Sequence, residues 1–537
     1  MDADATTMRT AETLVDHLDR IVGQGEIVTL EAVQDDAVAD LGASVAIVLE
    51  GERNHERFDA ARREALGPSG FAIEHELRGD RALVWTAANT RLSRQYAAYE
   101  VLRRLGTRFY HPEQEYVLEL TPEQLQQRIV VPTILQPGGA DAIPDFAWRS
   151  WSFHSAHPLE HLEAFSDGDH PIDEAERVND WIVANRGNRF RGAGRGIADV
   201  DAASRRAAEL DELRETLGFA RGAGITLHNQ QQGATAEIDP SLDTPVQKQI
   251  AEVVARNLAM APEAEWFGIH FGPTEFTTTP DLETVQWIEW AAAAARAERP
   301  GIAIEINDHT TGAQPSPNFD DLGCANQTND EGRIDYYDLA FHTDPSLGVS
   351  VHTVMFYPLE GDARVYAQRS FAHKLCLMQR ASAQGRPLTY FPEGSWWLSF
   401  DNAVPMYLPL YLATRHRDIE LLRPLLARNG GSLTGHRMFD SGHEWGYWQQ
   451  DYAVGLWAWN AELSLDDALG EILDPLCGAE LGMCEGKAEA LAVMHEVIDH
   501  QREIFLERSD GAGRPGGLYT YFAGEDDADV IAAASGL

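Results

Sequence analysis

The sequence predicts an α/β fold: a (β/α)8 TIM-type barrel preceded by a small N-terminal α/β domain and followed by a C-terminal helical region. Three observations carry this. Eight short apolar runs between about residues 145 and 440 read as buried strands, and most are followed by helical periodicity. Several of these runs end in an acid: WFGIHFGPTEF carries Glu275, IAIEINDH carries Asp308, LTYFPEGSWW carries Glu393, and RMFDSGHEW carries Asp440 and Glu444. Finally, 537 residues are too many for one ordinary domain, so two or three are expected.

Taken in order, MDADATTMRTAETLVDHLDRIVG reads as an amphipathic helix, without the basic and apolar regions of a signal peptide. The chain as written is therefore expected to be cytoplasmic, or secreted or periplasmic if a leader is missing. SVAIVLEG, FAIEHEL and ALVWTAAN are strands. RQYAAYEVLRRLG is a helix ending at Gly106, and TRFYHP is a short strand. These form an α/β domain over residues 1–140, closed by the Pro/Gly-rich linker VVPTILQPGGADAIPDF.

The barrel occupies residues 141–460. Its strands are FAWRSWSFH, NRFRGAG, GITLHNQ, WFGIHFGPTEF, IAIEINDH, GVSVHTVMFYP, PLTYFPEG and SLTGHRMFD. Helices are expected at 173–185, 202–217, 244–260, 282–299, 363–383 and 404–427. Strands five and six are joined by a long loop with a short helix, a length that is usually functional or a lid. Residues 461–537 are helical, and FAGEDDADVIAAASGL stops without a clear terminus, as though the natural chain continues.

The net charge is −42, from 85 acids and 43 bases. Only Lys248, Lys374 and Lys487 among the bases are lysines. An acidic, lysine-poor surface repels nucleic acid and anionic membranes, and fits a protein adapted to high salt. No apolar stretch approaches the roughly 18–20 residues of a membrane helix. Cys324, Cys376, Cys477 and Cys484 show neither CxxC nor zinc spacing, so buried free thiols are expected.

The segment RQYAAYEVLRRLGTRFYHP and the following PDFAWRSWSFH carry Tyr96, Leu102, Leu105, Gly106, Arg108, Tyr110 and Pro112, then Pro144, Phe146, Trp148 and Arg149. This junction resembles that of glycoside hydrolases in which an α/β domain precedes the barrel, the architecture of the α-glucuronidases and β-N-acetylhexosaminidases. The resemblance covers about residues 40–460 at the level of architecture. It implies a barrel hydrolase, with Glu275 matching a catalytic acid by position. The local sequence is Gly272-Pro273-Thr274-Glu275, where the hexosaminidases carry an Asp-Glu pair.

Carboxylates at strand ends, among Trp and Tyr, point to glycoside chemistry. Glu275 sits in a Gly-Pro-Thr turn beside Phe271 and Phe276, where low polarity would raise its pKa as a general acid needs. Glu393 lies among Tyr390, Trp396 and Trp397, and indole faces stack on sugars. Asp308 is placed as a base for water. The catalytic candidates are thus Glu275, Glu393 and Asp308. Arg149, Trp151, His154, His270, His309, His352, Tyr390, Trp396, Trp397, Asp440, Glu444 and Trp445 are candidates for binding substrate, with stitching of the barrel floor as the alternative for Arg149. No metal and no cofactor are expected, since the first strand lacks the His-x-His of metal-dependent barrels: His154 and His157 are three apart. The sequence reads as a glycosidase of oligo- or polysaccharides, whose partner is its carbohydrate substrate. The rivals are a metal-dependent barrel hydrolase and a non-catalytic carbohydrate-binding barrel. Oligomeric state has no signal.

Overall fold

A computed structural model describes residues 5–23, 45–49, 57–79, 81–136, 141–153, 172–191, 222–227, 238–262, 264–271, 279–310, 314–326, 332–365, 368–394, 407–428, 433–440, 444–477 and 485–507. The expected helix over 202–217 and the segment FAGEDDADVIAAASGL lie outside them.

The chain begins with helix α1 (Ala5–Val22), as its amphipathic pattern predicts. A four-stranded sheet follows, built from β1 (Val45–Val48), β2 (Phe71–Arg78), β3 (Arg81–Ala88) and β6 (Asp141–Ala142) in the order β1-β3-β2-β6. Alternation along β2 and β3 sends Phe71, Ile73 and Val84 into the main core. Ala72, Leu83 and Trp85 go to the opposite face, against Phe58 and Leu66, the latter on α2 (Ala60–Leu66). Strand β6 falls within the expected linker, which therefore also edges this sheet through Phe71 and Ala72.

Helix α3 (Arg91–Arg104) starts at a capping box between Thr90 and Ser93 and ends before Gly106, at φ +99. A Cβ at Gly106 would stand 2.5 Å from Leu118, so glycine also permits the close turn into β4 (Arg108–His111) and its partner β5 (Gln114–Tyr116). Helix α4 (Pro122–Ile129) completes this part of the chain.

Eight parallel strands make the central sheet: β7 (Trp148–Phe153), β8 (Arg189–Arg191), β9 (Gly222–Leu227), β10 (Trp266–Phe271), β11 (Ala303–Asp308), β14 (Gly348–Thr353), β17 (Leu388–Pro392) and β18 (Leu433–Asp440). They are the eight segments expected from sequence. Their order is β8-β7-β18-β17-β14-β11-β10-β9, with β8 and β9 as the two edges. The sheet is strongly curled. Arg189 on edge strand β8 lies 3.3 Å over the Trp148 ring of β7, yet also 4.7 Å from the Trp266 ring of β10 and 3.7 Å from Glu305 of β11. A flat sheet would hold those strands far apart.

Helices α5 (Ile172–Ala184), α6 (Val246–Met260), α7 (Asp281–Glu298), α8 (Ala372–Ala383) and α9 (Leu410–Arg428) connect successive strands, and α10 (Glu444–Trp459), α11 (Leu465–Leu473) and α12 (Glu485–Arg502) follow β18. Two connections differ from expectation. The segment between β11 and β14 carries an antiparallel pair, β12 (Pro315–Asp320) and β13 (Arg333–Asp335), before a 3-10 turn over Tyr336–His342. Helix α8 begins at Ala372 rather than Ala363, because β15 (Asp362–Val365) and β16 (Gln368–Ser370) pair first. Cys324 and Cys376 form a disulfide, with Cα atoms 5.6 Å apart, tying the β12–β13 segment to α8. This corrects the expectation of free thiols for that pair: chain spacing carries no information about proximity across 52 residues.

The junction residues that carry the family resemblance are seam residues. Tyr96 donates to the Gly187 carbonyl at 2.6 Å, Tyr110 to the Glu471 carbonyl at 2.6 Å, and Arg108 to Asp474 at 2.6 Å. Glu100 and Arg186 form a fully buried ion pair. Breaking such a pair costs about 3–5 kcal/mol, so α3 and the curled sheet are held as one packed body.

Candidate active site

Alternation decides which side chains enter the concave face of the sheet. On that face Trp148, Arg189, Trp266, Glu305 and Thr389 fill the amino end: Thr389 donates to Glu305 at 2.8 Å. One pleat higher come Ser152, Asn307, Phe391 and Arg437. The Arg437 guanidinium spans the concave face, 2.9 Å from Asn307 and 3.2 Å from Ser152, and lies 3.8 Å over the Phe391 ring. Backbones must approach closely where β9 meets β10: a Cβ on Gly224 would stand 2.8 Å from the Gly268 carbonyl.

At the carboxyl ends, Glu393, His352 and His309 come together. Glu393 extends β17, donating its N–H to the Thr353 carbonyl at 2.9 Å, and the residue is 3% exposed. Its Oε2 accepts the Met355 N–H, and its Oε1 lies 3.7 Å from His352 Nε2. His352 Nδ1 is 2.8 Å from the Phe391 carbonyl. A carbonyl only accepts, so Nδ1 carries the proton and Nε2 the lone pair. Burial, then the neighbouring His309, hold His352 well below the usual histidine range, so its contact with Glu393 is not an ion pair. The His309 ring is 4.9 Å from the His352 ring, its Nδ1 is bonded to the Thr310 carbonyl at 2.8 Å, and burial brings it down to about 4.

Asp308 points the other way. Lys374 of α8 reaches its two oxygens at 3.0 and 3.1 Å, Asp338 at 2.9 Å and the His309 carbonyl at 3.3 Å. Burial opposes the ammonium, but Asp308 and Asp338 outweigh it and hold Lys374 above the usual lysine range. Burial likewise opposes the Asp338 charge, and Lys374 and His373 outweigh it, keeping Asp338 below the carboxylate range. Asp335, accepting from Gln368 at 3.0 Å, is pushed up to about 6 by burial and then by Asp338. Lys374, Asp338, His373, Asp335 and Gln368, with Thr310 and Tyr337, border a small cavity beside His309. Among the described residues no group of three or more His, Cys, Asp or Glu is placed to hold a metal ion.

The other candidates fall in three places. Arg149 and Trp151 face the helix layer. Arg149 gives its donors to the carbonyls of Arg186 and Phe146, both at 2.7 Å, which is floor stitching, and Trp151 packs 4.4 Å from Trp181. Tyr390 also faces outward, donating to Asp418 at 2.5 Å. These three therefore differ from the expectation of substrate contact, since odd and even strand positions point to opposite faces. His270 lies on β10 on the concave face, with Gly268 and Trp266. Glu275, His154, Trp396 and Trp397 lie outside the described residues, and Asp440, Glu444 and Trp445 are described in backbone only.

Sequence reasoning passed over Lys374, Asp338, Arg437, Met355 and Arg415. Only Lys374 carried a signal, as one of three lysines in a chain that otherwise uses arginine.

No protein-family description and no curated protein matches the chain. Solved structures that resemble it include an O-GlcNAc hydrolase mutant from Thermobaculum terrenum, at 11% identity and TM-score 0.38 over 66% of each chain. The aligned part is thus just under two thirds of that hydrolase. A sugar phosphate isomerase/epimerase from Parabacteroides distasonis aligns at 14% identity and TM-score 0.33, over 57% of this chain and 97% of that one. A family 20 β-N-acetylglucosaminidase aligns at 12% identity and TM-score 0.35, over 89% and 96%. At these scores the similarities carry no argument about activity.

Proposed function

We propose that the chain is a glycoside hydrolase, with a (β/α)8 barrel closed between β8 and β9 and with Glu393 as a proton carrier at its mouth. The observation that carries this is the Glu393–His352 pair. A buried carboxyl stands beside the unprotonated nitrogen of a neutral imidazole, with a backbone N–H on its other oxygen. The pair accommodates one mobile proton in a mostly apolar setting, as an acid or base of glycosidic cleavage requires. Glu275 remains the proposed second carboxyl. A separation of about 5–5.5 Å would give retention and about 6.5–9.5 Å inversion. Asp308 is not part of the pair, because Lys374 holds both its oxygens.

The test is hydrolysis of 4-nitrophenyl glycosides of glucose, galactose, xylose, glucuronic acid and N-acetylglucosamine in both anomers, then of the Glu393→Gln variant. The amide retains both contacts, accepting from Met355 and donating to His352, so the fold is preserved. A loss of about 10²–10⁴ in rate is expected. Full activity in Glu393→Gln would remove Glu393 from the chemistry.

A further inference from the structure

We infer that Arg415, on the outer helix α9, is a positioning residue for Glu393: it grips the turn after β14 and so holds the Met355 N–H on the Glu393 carboxyl. The inference rests on the proposed role of Glu393. Met355 has φ +57, a left-handed conformation that a long side chain rarely adopts. Such a residue persists only where its surroundings fix it. Here the fixing groups are visible. Arg415 Nη2 donates to the Met355 carbonyl and to the Tyr357 carbonyl at 3.2 Å. Its Nη1 donates to Asp418 at 2.9 Å and Tyr390 at 2.7 Å. Asp418 accepts the Leu359 N–H at 2.7 Å, anchoring the far end of the same turn. Arg415, Asp418 and Tyr390 are fully buried. The planar guanidinium has the fork of donors needed to hold two carbonyls and a carboxylate together; an ammonium does not.

A backbone N–H donated to a carboxylate stabilises its charged form. Loosening the turn should therefore move the ionisation of Glu393 to higher pH. The charged and titratable groups around Glu393 are His352 on β14, His309 just after β11, Arg437 on β18, Lys374 on α8, and Arg415 and Asp418 on α9. Arg415→Lys keeps the charge facing Asp418, so it tests the grip rather than the field.

The experiment follows the Met355 amide by 15N–1H NMR through a pH titration of the full chain. In the parent protein the amide should titrate, and Glu393→Gln should abolish that titration. Arg415→Lys should raise the midpoint by about half to one pH unit, and Tyr390→Phe should raise it less. In the hydrolysis assay the corresponding limb of kcat/KM should move with it. A pH-indifferent Met355 amide, or midpoints unchanged in folded Arg415→Lys and Tyr390→Phe, would overturn the inference. If Arg415→Lys does not fold, Tyr390→Phe decides, since it leaves the Arg415–Asp418 pair in place. Hydrolysis surviving Glu393→Gln would sink the catalytic reading alone. A flat titration in an enzyme that Glu393→Gln inactivates would sink only the role of Arg415.

Discussion

Replacing Lys374 by methionine removes one ammonium and almost no volume. Four acceptors lose their donor at once: both oxygens of Asp308, one oxygen of Asp338 and the His309 carbonyl, all within 3.3 Å of Nζ. Two fully buried carboxyls are then left facing each other. Breaking a buried pair by deleting one partner costs about 3–5 kcal/mol, most of it for the stranded charge. A cooperative unit of a few hundred residues loses roughly 2 °C per kcal/mol, so Tm should fall by about 6–10 °C. The stranded carboxyls escape part of this by taking up a proton. The loss should therefore be larger at pH 8 than at pH 5. Differential scanning fluorimetry at both values reads the effect. Lys374→Met with Asp308→Asn should recover a large part, because the second change removes a stranded charge. A single variant within 1 °C of the parent, or a loss equal at pH 5 and pH 8, would refute the account of the network. Asp308→Asn alone should lower stability while leaving the rate of the folded protein within about tenfold, below the usual worth of an acid or base.

Three further outcomes are expected. His309 drops from 6.5 to about 4 and His436 to about 3 on folding, both by burial. The unfolded chain then binds more protons, so their stabilisation is complete above pH 6.5 and is lost as pH falls towards 4. Asp335, raised to about 6, acts in the opposite sense in the same window. The drop for His309 is worth about 3 kcal/mol and that for His436 more, so unfolding free energy should decline from pH 6.5 to 4; a flat profile in urea titrations would contradict this. Reducing Cys324–Cys376, which closes 52 residues, should cost up to about 4 kcal/mol by chain entropy, read as a lower urea midpoint under reductant. With a net charge of −42, Tm should rise between low and molar KCl, and a Tm that falls would argue against salt adaptation.

Periodicity is local, and the elements it governs were legible in the sequence. All eight segments expected as strands are strands, and the helices at 172–184, 246–260 and 281–298 lie within a few residues of their expected bounds. Glu393, His309 and His352 come together at the carboxyl ends of those strands. What the sequence leaves open is the direction in which each residue faces and which distant residue answers it. Asp308 and Glu393 look alike on paper, each an acid closing an apolar run. Register turns Asp308 outward to a lysine 66 residues away, while Glu393 meets a histidine 41 residues before it. Arg149, Trp151 and Tyr390 fall on the outer face for the same reason: strand period is two, and one step of register exchanges the outer face of the sheet for the concave one. The Cys324–Cys376 disulfide, the Lys374–Asp308 contact and the Arg415–Met355 contact each join residues more than 50 positions apart. The side-by-side pairing of β11, β14 and β17 and the helices packed on them bring such pairs together, because tertiary packing sets long-range distances that no local pattern encodes.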